Sequence, residues 1–366
     1  MNRQLKKKIW ICSDLWMDIF PFFDRPQLGL NLALLSYRYD ALVDAHFDDK
    51  TTELTLWRTI VIRKDIGPKA KLFVWIDGGK YVEFPFPDRP LPNKIRFRDL
   101  WIEYIDHSVI EFLRANKQIW DRKGTKLGLY VYSDKTENDV QTIWDILARE
   151  IWPLFATNIR QLYFPFATHF DNFRCRTSPT ILTDLDQLIS IDTDGLFPDE
   201  IADHFDGPNA ISSAGQALTK WVHTPSKNGQ PKRLFCEDMD EEGNIDWVNS
   251  FKETFLRATA SVSYKIRLEL YDSTPIGPFE LENERTKEKL TLEKVSRYSA
   301  DNEFIRDWLM KRCPISEKAA AVQWENDDKL NKVTFHLWGG DINKSIGPLS
   351  PPAEEEKEKA DESNEN

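Results

Sequence analysis

Cysteine is scarce in this 366-residue chain, and its few cysteines lie far apart. Their spacing contains no closely spaced pair of the kind that binds zinc, and 4 thiols are too few for a dense framework of disulfide bridges. This pattern predicts a protein of a reducing compartment, the cytoplasm, the nucleus or both. The four residues are Cys12, Cys175, Cys236 and Cys313.

Long apolar runs and basic clusters are also missing. The sequence has no signal-peptide core and no apolar run of about 18 residues, which predicts a protein that is neither secreted nor membrane-spanning. Its 60 acidic residues outnumber the 49 basic ones, for a formal net charge of −11, and Lys6–Lys8 is the one basic run. Because nucleic acids and anionic membranes bind basic surfaces, we expect neither as a partner.

Common catalytic and cofactor motifs are absent as well. No GxSxG, HExxH or glycine-rich phosphate loop follows a predicted strand. Residues 238–249 resemble a calcium loop, but Asn249 occupies the position of the usual bidentate glutamate, so we interpret the segment as a solvated acidic turn. We therefore expect no catalytic residue, no cofactor and no metal. The histidines are scattered, as structural histidines usually are: His46, His107, His169, His204, His223 and His336.

Aromatic and apolar residues are abundant, and many lie in one segment near the start, SDLWMDIFPFFDRPQLGLNLALLSYRYDALVDAHF at 13–47. Leu15 and Ile19 share one face of a first helix, which Pro21 ends. A longer stripe recurs at intervals of four and three residues: Leu28, Leu32, Leu35, Tyr39 and Leu42. A helical hairpin of this size cannot cover that much apolar surface. Either residues 52–340 cover it, or a partner does.

The order of these residues resembles the F-box motif, and the match covers residues 11–47. Two departures are that Ile11-Cys12 replaces the family's opening Leu-Pro and that Tyr39 replaces its usual Trp. The resemblance implies a three-helix module at 10–48 that docks onto the Skp-type adaptor of a cullin ubiquitin ligase. The adaptor-binding residues that it implies are Ile11, Leu15, Ile19, Phe20, Phe22, Leu28, Leu32, Leu35, Tyr39 and Leu42.

After residue 52 the sequence becomes rich in β-formers, and an Asp-Gly-Gly turn at 77–79 predicts a hairpin. Strands then alternate with helices, which predicts βα units in a domain at 52–345. Its architecture is either a curved, leucine-rich-repeat-like array or an open mixed sheet. The predicted helices lie at 107–120, 138–156, 178–187, 211–223, 245–258 and 304–315, the last one ended by Pro314. The acidic tail at 346–366 is expected to be disordered.

Two later stretches, at 218–234 and 277–315, resemble the C-terminal substrate region of the expanded nematode F-box families. The expected fold class is therefore α+β or α/β, with an F-box module before a mixed α/β domain. The expected protein is a non-catalytic substrate-recognition subunit that binds an unknown target protein and, through the adaptor, a cullin. Two alternatives remain: an interaction protein that binds the adaptor or another helical partner outside any ligase, and an uncharacterised α/β enzyme.

Overall fold

The fold is a mixed α/β arrangement built on one 13-stranded sheet. The structure is a computed structural model. It describes residues 11–48, 57–65, 67, 69–76, 80–91, 97–121, 124–132, 137–198, 213–227, 229–237, 246–271, 274–295, 305–315 and 330–338.

The strands follow the order β10-β11-β12-β9-β8-β7-β6-β5-β13-β4-β1-β2-β3 across the sheet. Their bounds are β1 Trp57–Lys64, β2 Ala70–Ile76, β3 Lys80–Phe84, β4 Phe97–Ile102, β5 Thr125–Tyr132, β6 Ile159–Phe164, β7 Ser190–Asp194, β8 Lys232–Glu237, β9 Tyr264–Tyr271, β10 Phe279–Asn283, β11 Glu288–Val295, β12 Ile305–Pro314 and β13 Asn331–Trp338.

The centre of the sheet is parallel. Strands β5 to β9 lie side by side in chain order, and β13 enters between β4 and β5, parallel to both. Parallel neighbours need a crossover connection, and such crossovers are right-handed in almost all proteins. Because β5 to β9 advance in one direction, their connecting helices are placed on a single face of the sheet.

The two ends of the sheet are antiparallel. At one end β1, β2 and β3 form a meander, with the predicted hairpin turn at 77–79 outside the described residues. At the other end β12 pairs with both β9 and β11, and β11 pairs with β10. The helix predicted at 304–315 is therefore wrong, because this segment is strand β12 and its buried side chains alternate as Trp308, Met310 and Arg312.

The helices mostly confirm the pattern read from the sequence. Helix α8 was not predicted, and the helix expected at 178–187 is reduced to the single turn α9. The bounds are α1 Ser13–Ile19, α2 Arg25–Gln27, α3 Tyr37–Asp48, α4 His107–Ala115, α5 Lys117–Asp121, α6 Glu137–Ile146, α7 Trp152–Phe155, α8 Ala167–Arg176, α9 Ile181–Asp184, α10 Ala214–His223 and α11 Asp246–Arg257.

Side chains on several strands alternate between a buried and a partly exposed face, most regularly on β9 and β11. On β9, Ile266, Leu268 and Leu270 are buried, whereas Arg267 and Glu269 between them are half-buried. We call the buried side the inner face and the other side the outer face. Helices pack on the inner face, as shown on β6 by the ring of Phe164, whose centroid lies 5.1 Å from Phe170 and 5.8 Å from Phe173 of α8.

The N-terminal segment folds into three successive helical stretches. Helix α1 continues into a 3-10 turn at Phe20–Phe22, and α2 continues through a π turn at Leu28–Leu32 into a 3-10 turn at Ala33–Leu35. Ser36 is extended, so the apolar stripe expected from Leu28 to Leu42 is divided between two helices, the second being α3.

A mixed α/β fold with an N-terminal helical module is what the structure shows of the expected fold class. The boundary near residue 50, most of the acidic turn at 238–249 and the tail at 346–366 lie outside the described residues. Within the described ranges, no helix combines the length and apolar character needed to cross a membrane.

Candidate binding surfaces

The helical module has an internal face, along which α1 packs on α3. The ring centroid of Trp16 lies 5.2 Å from that of Tyr39, and the ring of Phe20 lies 5.4 Å from that of His46. Trp16 and Phe20 are four residues apart, so they share one side of α1. This side is used for folding the module.

Another side of α1 carries apolar residues that remain accessible. Leu15, Ile19 and Phe22 follow the spacing i, i+4, i+7, which places neighbouring side chains on one helical face. Leu15 is 53% exposed and Phe22 is 88% exposed, while Ile19 is half-buried. Leu35, at the end of the middle stretch, is 68% exposed. Large apolar side chains with this exposure are typical of protein interaction sites when they lie in a group.

The predicted adaptor-binding residues therefore separate into three groups. Phe20 and Leu28 are buried within the apolar core, so in the free chain they are core residues and not surface residues. Three are exposed: Leu15, Phe22 and Leu35. The remaining five are half-buried: Ile11, Ile19, Leu32, Tyr39 and Leu42.

The module also contacts the segment between β3 and β4. The guanidinium of Arg89 lies 5.8 Å from the ring centroid of Tyr37, and its charge acts on Asp40 of the same helix. Burial raises the pKa of Asp40, and the positive charge of Arg89 opposes that rise. The start of α3 is thus held near the sheet domain.

A second candidate surface is the outer face of the sheet, where aromatic rings follow one another from strand to strand. The ring of Tyr130 on β5 lies 4.9 Å from that of Tyr163 on β6. At the end of β5, Tyr132 stacks on Trp338 of β13 at 4.9 Å. His336 lies between these pairs, 5.5 Å from Tyr130 and 5.4 Å from Tyr132. We call these five residues the aromatic cluster.

An open groove continues this face toward β3. It has a volume of about 620 Å³, and Trp101 on its wall lies 6.4 Å from His336 of the aromatic cluster. Its lining combines three large rings with charged groups of both signs: Thr59, Trp75, Tyr81, Asp99, Trp101, Glu103 and Lys332.

On the other side of the aromatic cluster the outer face is acidic. Asp194 of β7 lies opposite Glu237 of β8, Glu237 lies opposite Glu269 of β9, and Glu269 lies opposite Asp307 of β12. We call these four carboxylates the acidic row. Because the first three strands are parallel, their carboxyl ends meet at one edge of the sheet, where these side chains collect.

Neighbouring charges and burial act together on the acidic row. Burial is the main cause that raises the pKa of Asp194, Glu237 and Glu269. The negative charge of nearby carboxylates raises each of these three pKa values further. Arg267 offsets part of this repulsion through ion pairs of 2.8 Å with Glu269 and 2.9 Å with Asp307. The remaining excess of negative charge lies at Asp194 and Glu237.

Asp194 joins the acidic row to the aromatic cluster. The hydroxyl of Tyr163 donates a hydrogen bond of 2.5 Å to Oδ2 of Asp194. Burial and this hydrogen bond both raise the pKa of Tyr163 far above its ordinary value, so the phenol stays protonated. The two sets of residues therefore form one continuous surface.

No protein-family model, curated protein or solved structure matches this chain. Its surfaces must therefore be judged by their own chemistry. Rings and carboxylates spread over several strands suit the binding of an extended ligand. Among the described residues, no three or more His, Cys, Asp or Glu side chains come together to hold a metal ion.

Sequence reasoning missed both sets on the outer face. Each residue of the acidic row comes from a different strand, and Asp194 and Asp307 are far apart in the chain. The sequence signal for these residues is a single acidic residue toward the carboxyl end of each of β7, β8 and β9. Only the order of the strands in the sheet shows that these residues are neighbours.

Proposed function

We propose that this protein is a non-catalytic substrate receptor of a cullin ubiquitin ligase, with an F-box at residues 10–48 and a target-binding domain at 52–345. The observation that supports it best is the exposure of large apolar side chains on the helical module, namely Leu15, Phe22 and Leu35. An apolar helix face of this kind binds in a partner's hydrophobic groove through anchors at helical spacing. The resemblance of the same segment to the F-box motif names the Skp-type adaptor as that partner.

The outer face of the sheet supports the second half of the proposal. It offers an aromatic cluster, a groove and an acidic row, which are features of a recognition surface. A receptor of this kind acts by proximity, because it raises the effective concentration of target lysines near the conjugating enzyme. We also propose that strands β5 to β9 are the part of the sheet that corresponds to the expected leucine-rich-repeat-like array. These strands are parallel and follow one another in chain order.

The test replaces an exposed apolar residue of the module by aspartate. Leu35→Asp should abolish capture of the purified Skp-type adaptor, because an unpaired charge in a desolvated apolar contact costs several kcal/mol. Its melting temperature should stay close to that of the unmodified chain, since Leu35 is 68% exposed. Capture is measured by co-purification and affinity by titration calorimetry.

Leu256→Asp is the matched control. Leu256 is 49% exposed on α11, outside the module, so its replacement changes charge and apolarity in the same way. This variant should bind the adaptor as the unmodified chain does. An unmodified chain that fails to bind the adaptor, or equal losses in both variants, would contradict the proposal.

A further inference from the structure

The charges on the outer face are arranged by position along the strands. Cations lie toward the opposite edge of the sheet from the acidic row, as with Lys126 near the amino end of β5 and Lys311 near the carboxyl end of the antiparallel strand β12, and these are neutralised by ion pairs with Asp192 and Glu293. The acidic row occupies the carboxyl ends of β7, β8 and β9 and the adjacent part of β12. The negative potential of this face is therefore concentrated at one edge of the sheet.

Two carboxylates of the acidic row, Asp194 and Glu237, form no ion pair with a described residue, although the positive charge of Arg267 also acts on Glu237. Asp194 accepts its hydrogen bond from the neutral hydroxyl of Tyr163, and the side chain of Glu237 forms no ion pair with a described residue. Both are half-buried and so are partly accessible from solvent. A ligand that brings positive charge here would offset the repulsion between neighbouring carboxylates.

The aromatic cluster extends the same surface in the direction of β13. Tyr163 is one strand away from Asp194, and Tyr130 and Trp338 follow on the next two strands. Ring faces bind apolar groups and also attract cations such as the arginine guanidinium. The surface therefore combines carboxylates at one end with ring faces at the other.

We propose that the outer face binds an extended peptide segment with alternating basic residues followed by an aromatic residue. This inference specifies the partner class for the target-binding domain and so rests on the proposed function. The support is charge complementarity with the acidic row, together with the position of the aromatic cluster beside it.

The spacing of the strands sets the spacing of the basic residues. Neighbouring strands are about 4.8 Å apart, so the four carboxylates of the acidic row span about 14 Å. Same-side residues of an extended chain recur about every 6.8 Å, so basic residues at i, i+2 and i+4 span a similar distance. The aromatic residue then follows within a few positions, over Tyr163 and Tyr130.

The probe is a fluorescein-labelled peptide, Gly-Arg-Gly-Arg-Gly-Arg-Gly-Trp-Gly, titrated against the full chain and followed by fluorescence anisotropy. It should bind with an affinity that falls as salt is raised, because added ions screen charge pairs. A peptide with glutamate in place of each arginine should not bind. A peptide with glycine in place of tryptophan should bind more weakly than the probe.

Two isosteric variants test the site. Glu237→Gln combined with Asp194→Asn should weaken binding of the arginine peptide by about tenfold or more, since both changes remove a negative charge. Asp194→Asn keeps an amide oxygen that accepts the hydrogen bond from Tyr163. Glu284→Gln combined with Glu282→Gln is the control, because both glutamates are exposed, at the end of β10 and in the turn that follows it, and this pair of changes removes the same number of charges. Equal weakening in the control, or no binding by the unmodified chain, would overturn the inference.

Adaptor capture is measured on the same preparations. A chain that captures the adaptor but does not bind the arginine peptide refutes only the partner class. A chain that binds the peptide but never captures the adaptor refutes only the proposed function.

Discussion

The buried ion pair between Glu288 and Arg312 gives the sharpest test of how the antiparallel end of the sheet is stabilised. The side chains are 0% and 1% exposed, and Nη2 and Nε of Arg312 donate to Oε2 of Glu288 at 2.7 and 3.0 Å. Oε1 of Glu288 accepts from the hydroxyl of Ser261 at 2.7 Å and from the amide of Val262 at 2.9 Å. The pair thereby ties β11 and β12 to the segment that leads into β9.

Glu288→Gln keeps the shape of the side chain but leaves the guanidinium of Arg312 buried without its counter-ion. Breaking a buried pair on one side typically costs about 3–5 kcal/mol, and we expect a loss of that size in the free energy of unfolding. Replacing both members, as in Glu288→Leu with Arg312→Met, should cost clearly less than the sum of the single changes, because no buried charge is left alone.

The assay is urea denaturation of the full chain, with the free energy of unfolding taken by linear extrapolation. The control is Glu284→Gln, which breaks an ion pair of 2.7 Å with Lys287 in which both side chains are more than 70% exposed, at 79% and 73%. This control should leave the denaturation midpoint unchanged. If Glu288→Gln is no more destabilising than Glu284→Gln, the reasoning about burial and charge is wrong.

Two further predictions concern a buried histidine and a helix cap. Burial lowers the pKa of His169 to about 4 from an ordinary value of 6.5. As the pH falls, this histidine therefore binds a proton in the unfolded chain before it does so in the folded chain. The free energy of unfolding should fall by an amount on the order of 3 kcal/mol between pH 6.5 and 4. His169→Leu should flatten this part of the stability–pH curve, and an unchanged slope would contradict the assignment. Asp106→Ala removes the acceptor for the amides of Val109 and Ala70, each at 3.1 Å, and should cost about 1–3 kcal/mol. Asp106→Asn should cost less in the same denaturation assay, and equal losses would count against a capping role.

Local pattern predicted most of the parallel centre of the sheet, because β5, β7 and β8 are each followed by an amphipathic helix. The failures come where polar residues are buried. Helix α8 was missed because its inner side includes His169 and Arg174, which lower the apolar signal of that face.

Strand β12 was taken for a helix for a similar reason. Its buried period of two includes Arg312, and the partner that makes an arginine acceptable there, Glu288, lies 24 residues earlier in the chain. When a polar residue is considered without its partner, the sequence pattern assigns it to the solvent side. The spacing of the apolar residues between Ile305 and Met310 then fits a helix as well as a strand.

Long-range placement was beyond local pattern altogether. Strand β13 lies between β4 and β5, and the side-chain Nδ2 of Asn331 donates to the backbone carbonyl of Ile119, which is 212 residues earlier in the chain. The acidic row depends on the same strand order. For the helical module, the pattern indicated the helices, but packing decides that Phe20 and Leu28 are buried and that Leu15, Phe22 and Leu35 are exposed.

The most direct test of the proposed function is reconstitution of the full chain with purified Skp-type adaptor and cullin, followed by size-exclusion chromatography. The account predicts one complex that contains all three proteins, and it predicts that Leu35→Asp elutes alone. A complex with the adaptor from which the cullin is always absent would favour an interaction protein acting outside a ligase. A chain that elutes alone in its unmodified form would contradict the account.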